Sequence, residues 1–180
     1  SFVWNMFDFG CDARDEGGVS GRNNKGLVSF DRAIKKDSFY ICRAFWSNQP
    51  FVHICSKRYA LRSGESTSVK VYSNCDSVTL FVNGREVESI SGKHVFEFED
   101  VALRYGNNTV VVKSGSCKDI TVIKRVDKEP ESYTLTEEET AVANWFEIAS
   151  DNPPELEFRD GYYSVKMTIR EILESPEAGD

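Results

Sequence analysis

The middle of this chain predicts an antiparallel β-sandwich, and three observations carry that expectation. From Phe51 to Arg125 apolar and polar residues alternate with period two, the mark of strands with one buried face. Such runs recur as FVHICS (51–56), SVKVYSNC (68–75), SVTLFV (77–82), REVESI (85–90), HVFEFE (94–99), NTVVVKS (108–114) and DITVIKR (119–125). Turn formers separate them: Gly64, Asn74, Gly92, Gly106 and Gly115. Asn83-Gly84 is the strongest of these signals, because both central positions of a type I′ hairpin need positive φ. Short strands at this spacing predict an immunoglobulin-like architecture, without the Cys/Trp signature of antibody domains.

The totals support a packed domain and exclude some partners. Among 180 residues, 40% are hydrophobic, with 12 Phe, 7 Tyr and 3 Trp, enough for a real core. A net charge of −7 argues against nucleic acid, since phosphate binding needs a clustered basic face. No run approaches the roughly 18 apolar residues of a membrane span. SFVWNMFDFG has no charged region ahead of an apolar one, so no secretory leader is expected there. Five scattered cysteines without a C-x-x-C pair suggest neither a disulfide framework nor a zinc site. Buried free thiols in a reducing, cytoplasmic setting are the expectation.

The flanks read differently. Residues 1–34 predict a short buried strand, a long polar loop over Asp8–Gly26, and then GLVSFDR. Asp37–Trp46 predicts a helix, with Asp37 as its cap and Phe39, Cys42 and Phe45/Trp46 at helical spacing. Beyond Asp127 the acidic DKEPESYTLTEEET reads as a linker. Thr136 and Glu139 then form a capping box for a helix through Trp145. NPPELEF is predicted extended, because each proline pushes its predecessor out of the α region. A last helix over Ser164–Glu174 gathers Val165, Ile169, Ile172 and Leu173 on one face.

Taken alone, these residues compose no complete active site. His53 lies in a strand and His94 at a turn, with no Ser or Cys constellation beside either. Asp8, Asp12, Asp15 and Glu16 crowd one loop; paired carboxylates suit glycosidic or metal chemistry, and a solvated acidic loop is the plainer reading.

A sharper signal comes from FVWNMFDF, NNKGLVSFDR and KKDSFYICRAFW in that order. Together they resemble the end of the catalytic barrel in glycoside hydrolase family 2. In that family W-N-x-x-D-F is the eighth barrel strand, N-x-K-G-[LI]-[VF] follows the active-site loop, and K-x-[AS]-F…W is the last helix. The resemblance implies a (β/α)8-barrel remnant over 1–47, an immunoglobulin-like sandwich over 48–127, and a linker with a short irregular and helical tail over 128–180. The sandwich resembles the extra C-terminal domain of bacterial β-galactosidase-like members. GYYSVKMTIREILESPEAG is similar to a motif that ends large Firmicute glycosidases.

The same resemblance implies the function. The chain would be the C-terminal part of a retaining exo-β-glycosidase, a β-galactosidase first and a β-glucuronidase as alternative. Active sites of such barrels lie at the carboxyl ends of the strands. Trp4 would line the sugar subsite. Asn23 and Lys25 match the N-x-K pair with which β-glucuronidases hold the sugar carboxylate, and Asp8 and Arg14 are carried by position. Retaining enzymes need two carboxylates about 5–5.5 Å apart, and the resemblance places both upstream of this chain. No catalytic residue, metal ligand or cofactor is therefore expected, and the piece alone should be inactive. The implied partners are a β-linked sugar and the missing barrel, with a homo-oligomer as an option. A non-catalytic carbohydrate-binding or structural module is the rival from another class. Exposed Tyr72, Phe81, Phe96 or Phe98 would favour it, but their alternation with polar residues predicts inward packing.

Overall fold

The structure is a computed structural model; it describes residues 2–16 and 19–134, without the side chains of 12–16. The expected loop over Asp8–Gly26 contains a hairpin instead. Strands β1 (Phe9–Glu16) and β2 (Val19–Asn23) pair antiparallel, with Phe9 opposite Asn23 and an irregular register at Asp15. A two-stranded ribbon of mostly polar residues has no hydrophobic period, so its sequence reads as loop.

The expected buried strand at the start is also corrected. Only Asn5–Asp8 pairs, through bonds of 2.9 Å from Leu27 N–H to Asn5 O, Val28 N–H to Met6 O and Asp8 N–H to Val28 O. Val28 is buried, whereas Phe2, Val3, Trp4 and Met6 are exposed. The Trp4–Asn5 peptide is cis.

Helix α1 (Asp37–Trp46) forms where its sequence predicts, but Asp37 does not cap it. Lys36 is the N-cap, with no side-chain bond, and the Asp37 carboxylate turns to the neighbouring sheet. The helix rests there on rings. Tyr40 stacks on His53 at 3.5 Å between centroids, Phe45 stacks on His94 at 4.1 Å, and the Arg43 guanidinium lies 4.3 Å over Phe51.

The strands that follow are β3 (Val52–Ile54), β4 (Leu61–Arg62), β5 (Ser66–Ser73), β6 (Ser77–Val82), β7 (Arg85–Ser91), β8 (His94–Ala102), β9 (Gly106–Ser114) and β10 (Cys117–Arg125). They make a mainly β, sandwich-like pair of sheets, ordered β4-β10-β9-β6-β7 and β3-β5-β8. Each pairing is antiparallel except β4 with β10. Alternate residues meet between the sheets: Val69 and Val71 of β5, Phe96 and Phe98 of β8, Leu80 of β6, Val110 and Val112 of β9. Phe96 and Phe98 thus pack inward as expected. Tyr72 and Phe81 do not; they sit half-buried on the opposite faces, one residue out of phase with Val71 and Leu80.

Asn83 and Gly84 both take positive φ, 53° and 81°, as the hairpin requires. Behind this turn lies Asn108, fully buried. Its Oδ1 accepts from Asn83 Nδ2 (2.9 Å) and Arg104 N–H (3.0 Å), and its Nδ2 donates to Arg104 O and Gly106 O. A buried amide satisfied at both ends ties two turns together. Strand β7, at one edge of the five-stranded sheet, is exposed almost throughout and carries Arg85, Glu86 and Glu88.

Past β10 a single 3-10 turn, Glu131–Tyr133, sets Tyr133 against Tyr59. The helices predicted over 136–145 and 164–174, and the extended NPPELEF, lie outside the described residues. The five cysteines are free, but only Cys55 is buried; the other four are half-exposed, against expectation. No described helix is long and apolar enough to cross a membrane.

Truncating Phe98, which has no exposed surface, should cost about 3–5 kcal/mol as Phe98→Ala. Val122→Ala, on the outer face of β10 at 47% exposure, should cost less than about 1 kcal/mol. Equilibrium urea unfolding of the two variants tests this; equal losses would place the core elsewhere.

Candidate functional site

The residues singled out by sequence gather around one buried carboxylate. The Asp8 side chain is 5% exposed and cannot stay charged without partners. Its Oδ1 accepts from Gly26 N–H at 2.9 Å and from Lys36 Nζ at 2.6 Å. Lys36 Nζ also donates to Asn24 O at 2.7 Å, and Lys36 N–H donates to Leu27 O at 2.9 Å. The residue ahead of α1 and the turn after β2 therefore converge on one oxygen of the paired segment 5–8. Gly26 has to be glycine: a Cβ there would overlap the Phe7 and Asp8 backbone and lie 2.7 Å from Asp8 Oδ1.

This clasp shapes the N-x-K turn. Asn23 is buried, and its Oδ1 accepts from Lys25 N–H at 3.0 Å, a local turn that leaves the Lys25 side chain exposed. Trp4, 80% exposed, meets Phe9 edge-on at 6.2 Å between centroids, and Phe9 is the register partner of Asn23. Arg14 lies in β1, its side chain outside the described residues. Asp8, Asn23, Lys25 and Trp4 thus share one small region. Lys36 and Gly26 belong to it as well. Both stood inside quoted motifs, but nothing local to the sequence announces a contact between residues 8 and 36.

Beside the clasp are two neighbouring cavities. One, of about 460 Å³, lies between the start of α1 and the β3–β4 connection and is lined by Lys35, Tyr40, His53, Lys57, Arg58 and Tyr59 among others. The other, of about 400 Å³, includes Asp8, Arg22, Asn24, Phe30, Lys36 and Arg58.

Asp37, His53 and Cys55 bring potential ligand atoms within 4.8 Å of one another. Two of the three are already engaged. Asp37 Oδ1 bonds His53 Nε2 at 2.9 Å, and Asp37 Oδ2 accepts from Ser56 N–H at 2.7 Å. Burial pushes the Asp37 carboxyl up, but the His53 and Ser56 hydrogen bonds and the His53 and Arg58 charges outweigh it and hold it low. Burial, then the Asp37 charge, pushes the Cys55 thiol up to about 12. The Asp37–His53 pair anchors helix to sheet.

Comparison with known proteins adds the family context. A family model described as "Domain of unknown function (DUF4982)" matches residues 64–123. A Bacteroides fragilis protein named "Beta-glucuronidase" is 36% identical over 124 residues, 67% of this chain and 18% of the relative. A solved structure described as "FMN-binding beta-glucuronidase from Facaelibacterium prausnitzii L2-6" is 54% identical, with a TM-score of 0.73 over 76% of this chain and 21% of that one. A Bacteroides fragilis structure provisionally named a beta-galactosidase is 34% identical, with a TM-score of 0.67 over 74% of this chain and 21% of that one. The homologues of this chain are β-glucuronidase- and β-galactosidase-like enzymes. The chain spans about a fifth of the length of these glycosidases.

Gly26→Ala should open the clasp and lower the thermal midpoint more than Gly21→Ala. A Cβ at Gly21 meets no atom within 4 Å, although its φ of 70° adds strain. Thermal unfolding of both variants checks the ranking.

Asp37→Asn tests the anchor. A carboxyl whose folded pKa lies below its ordinary 3.8 stabilises fully above that value and loses the contribution as pH falls through the folded pKa. The carboxylate is 41% exposed, so the loss at neutral pH should be only about 1 kcal/mol. The gap to the parent chain should close below about pH 4; a gap that persists in acid would mean a different role.

Proposed function

We propose that this chain is a pocket-completing, non-catalytic part of a larger retaining exo-β-glycosidase of glycoside hydrolase family 2, and that the enzyme removes β-glucuronosyl groups. In this reading residues 1–47 close the catalytic barrel, 48–127 form the supporting sandwich, and 128–180 are the linker and tail. The observation that carries the glucuronide is the clasped turn. Asn23 is buried with its Oδ1 engaged by the Lys25 N–H, so the exposed Lys25 ammonium is what the turn presents to a ligand. A cation on a pinned turn suits a carboxylate and does nothing particular for a galactose hydroxymethyl. The names of the relatives, β-glucuronidase more often than β-galactosidase, support the same shift from the galactoside expected from sequence.

Trp4 supplies the apolar wall in this proposal, its exposed ring suited to the face of a sugar. Asp8 acts behind it, holding Gly26 and Lys36 rather than touching substrate. The longer protein that carries this chain should be assayed on paired aryl glucuronide and galactoside substrates. Lys25→Ala should cut kcat/KM on the glucuronide roughly 10- to 150-fold, the worth of about 1.5–3 kcal/mol for a hydrogen bond to a charged group. Galactoside turnover should stay within about threefold. Equal losses on both substrates would return the reading to a loop with no carboxylate role. The 180-residue chain alone should turn over neither.

One observation favours a second ligand. The 54%-identical relative is described as FMN-binding, and we infer that this chain binds FMN too. The residues present suit both ends of that molecule, with cations for the phosphate and tyrosine rings for the planar flavin around the cleft that Arg58 lines. When bound, FMN would supply a redox-active ring. Titrating the chain into FMN should give saturable quenching of flavin fluorescence; a linear, non-saturating response would end this reading.

A further inference from the structure

We propose that Arg58 and Lys36 form an anion-binding anchor, distinct from the Asn23–Lys25 turn, that takes a compact phosphate or carboxylate group. The two cavities beside the clasp share just these two residues, so any ligand that occupies both must pass between their cations. This inference shares its cleft with the flavin reading and deepens it by naming the cations that would hold the phosphate; it does not rest on the glucuronide reading, because it follows from which charges are already satisfied.

Nearly every other charge facing the cleft has a partner. Lys57 Nζ bonds Asp119 at 2.7 Å, Arg22 lies over the Phe30 ring at 4.5 Å, and Lys35 lies over Phe39 at 5.0 Å. Among the acids, Asp8 is held by Gly26 and Lys36, Asp37 by His53 and Ser56, and Asp31 by Ser29 and Ala33 N–H. Arg58 differs. Its guanidinium makes no hydrogen bond or ion pair among the described residues, and its charge acts on Asp37 from a distance. Lys36 Nζ uses two of its three donors, on Asp8 Oδ1 and Asn24 O.

The backbone that carries this cation is held in place. Ser56, at φ 58°, donates its N–H to Asp37, Tyr59 N–H donates to Ser56 O at 2.9 Å, and Tyr133 OH donates to Arg58 O at 3.3 Å. A backbone pinned at three points loses little freedom when a ligand arrives. A guanidinium offers a fork that fits two oxygens of a phosphate or carboxylate at once. The walls on either side, Tyr59 in one cavity and Phe30 in the other, suit a ring attached to that anion. In a chain of net charge −7 such a spot inverts the local field.

The test is calorimetric titration of the 180-residue chain with inorganic phosphate, glucuronate and FMN in separate arms. Arg58→Ala should weaken the anion that binds by about tenfold or more, the scale of one charge-assisted hydrogen bond. Arg58→Lys should recover part of it, and Val122→Ala, on the outer face of β10 and in neither cavity, should leave it unchanged. Arg58 is exposed and supports no core contact, so its variants should keep the parent thermal midpoint. If phosphate binds and glucuronate does not, the anchor serves a phosphoester; the reverse assigns it to a sugar acid. Absence of saturable binding in every arm, or binding that Lys25→Ala abolishes and Arg58→Ala leaves intact, overturns the proposal. The second outcome would favour the turn as the anion reader, so the two readings fail separately.

Discussion

One oxygen organises the amino-terminal third of this chain. Asp8 Oδ1, at the end of a short paired segment, is removed from water and bonded to Gly26 N–H and Lys36 Nζ. An ionised carboxylate in that position must be fully paired or it will not stay charged and buried. Both partners are far away in sequence, so satisfying the carboxylate closes the intervening hairpin into a loop of set shape. The same lysine sits at the N-cap position of α1, and its Nζ bonds the Asn24 carbonyl. The position of the N-x-K turn, the direction of the helix and the seating of residues 5–8 are therefore one problem with one solution.

From the clasp the constraint passes through α1 to the sandwich. The helix meets the three-stranded sheet mostly through rings, Tyr40 on His53 and Phe45 on His94, with Asp37 pinning its first turn to β3 and to Ser56. That joint explains how a β-sandwich can influence a loop it does not contain. It also places the β3–β4 connection, which carries Lys57 and Arg58, beside residues of the clasp. A domain that looks like mere support thereby contributes side chains to the same neighbourhood as Asn24 and Lys36.

The parts of this arrangement that were legible in the sequence are those with a short-range signature. β6 over Ser77–Val82 and α1 over Asp37–Trp46 follow from period two and period three to four, and the Asn83-Gly84 turn follows from backbone sterics alone. What escaped was set by partners distant along the chain. β4 is two residues long and exists because Leu61 and Arg62 pair with Lys124 and Arg125. β1 and β2 are mostly polar in sequence and leave no clear period to read. Asp37 looked like a cap because its local context is that of a cap; the better partner, His53, lies sixteen residues on. Lys36 sat in plain view within a motif, yet its role depends on Asp8, twenty-eight residues earlier. Trp4 meets Phe9, the register partner of Asn23, a proximity that spacing along the chain does not announce.

The margins of the two sheets carry a consequence for how this chain meets others. In the five-stranded sheet one border is a strand of two residues and the other is β7, which displays Arg85, Glu86 and Glu88. In the three-stranded sheet one border is the three-residue β3, and the other, β8, bears Glu97, Glu99 and Asp100. A foreign strand arriving at any of them finds either too little backbone to zip against or a row of charges that it would have to strip of water. Strand addition, fibrillar or otherwise, is disfavoured at these borders of the described sandwich, and the exposed aromatics of residues 2–4 and of α1 offer more open ground for association.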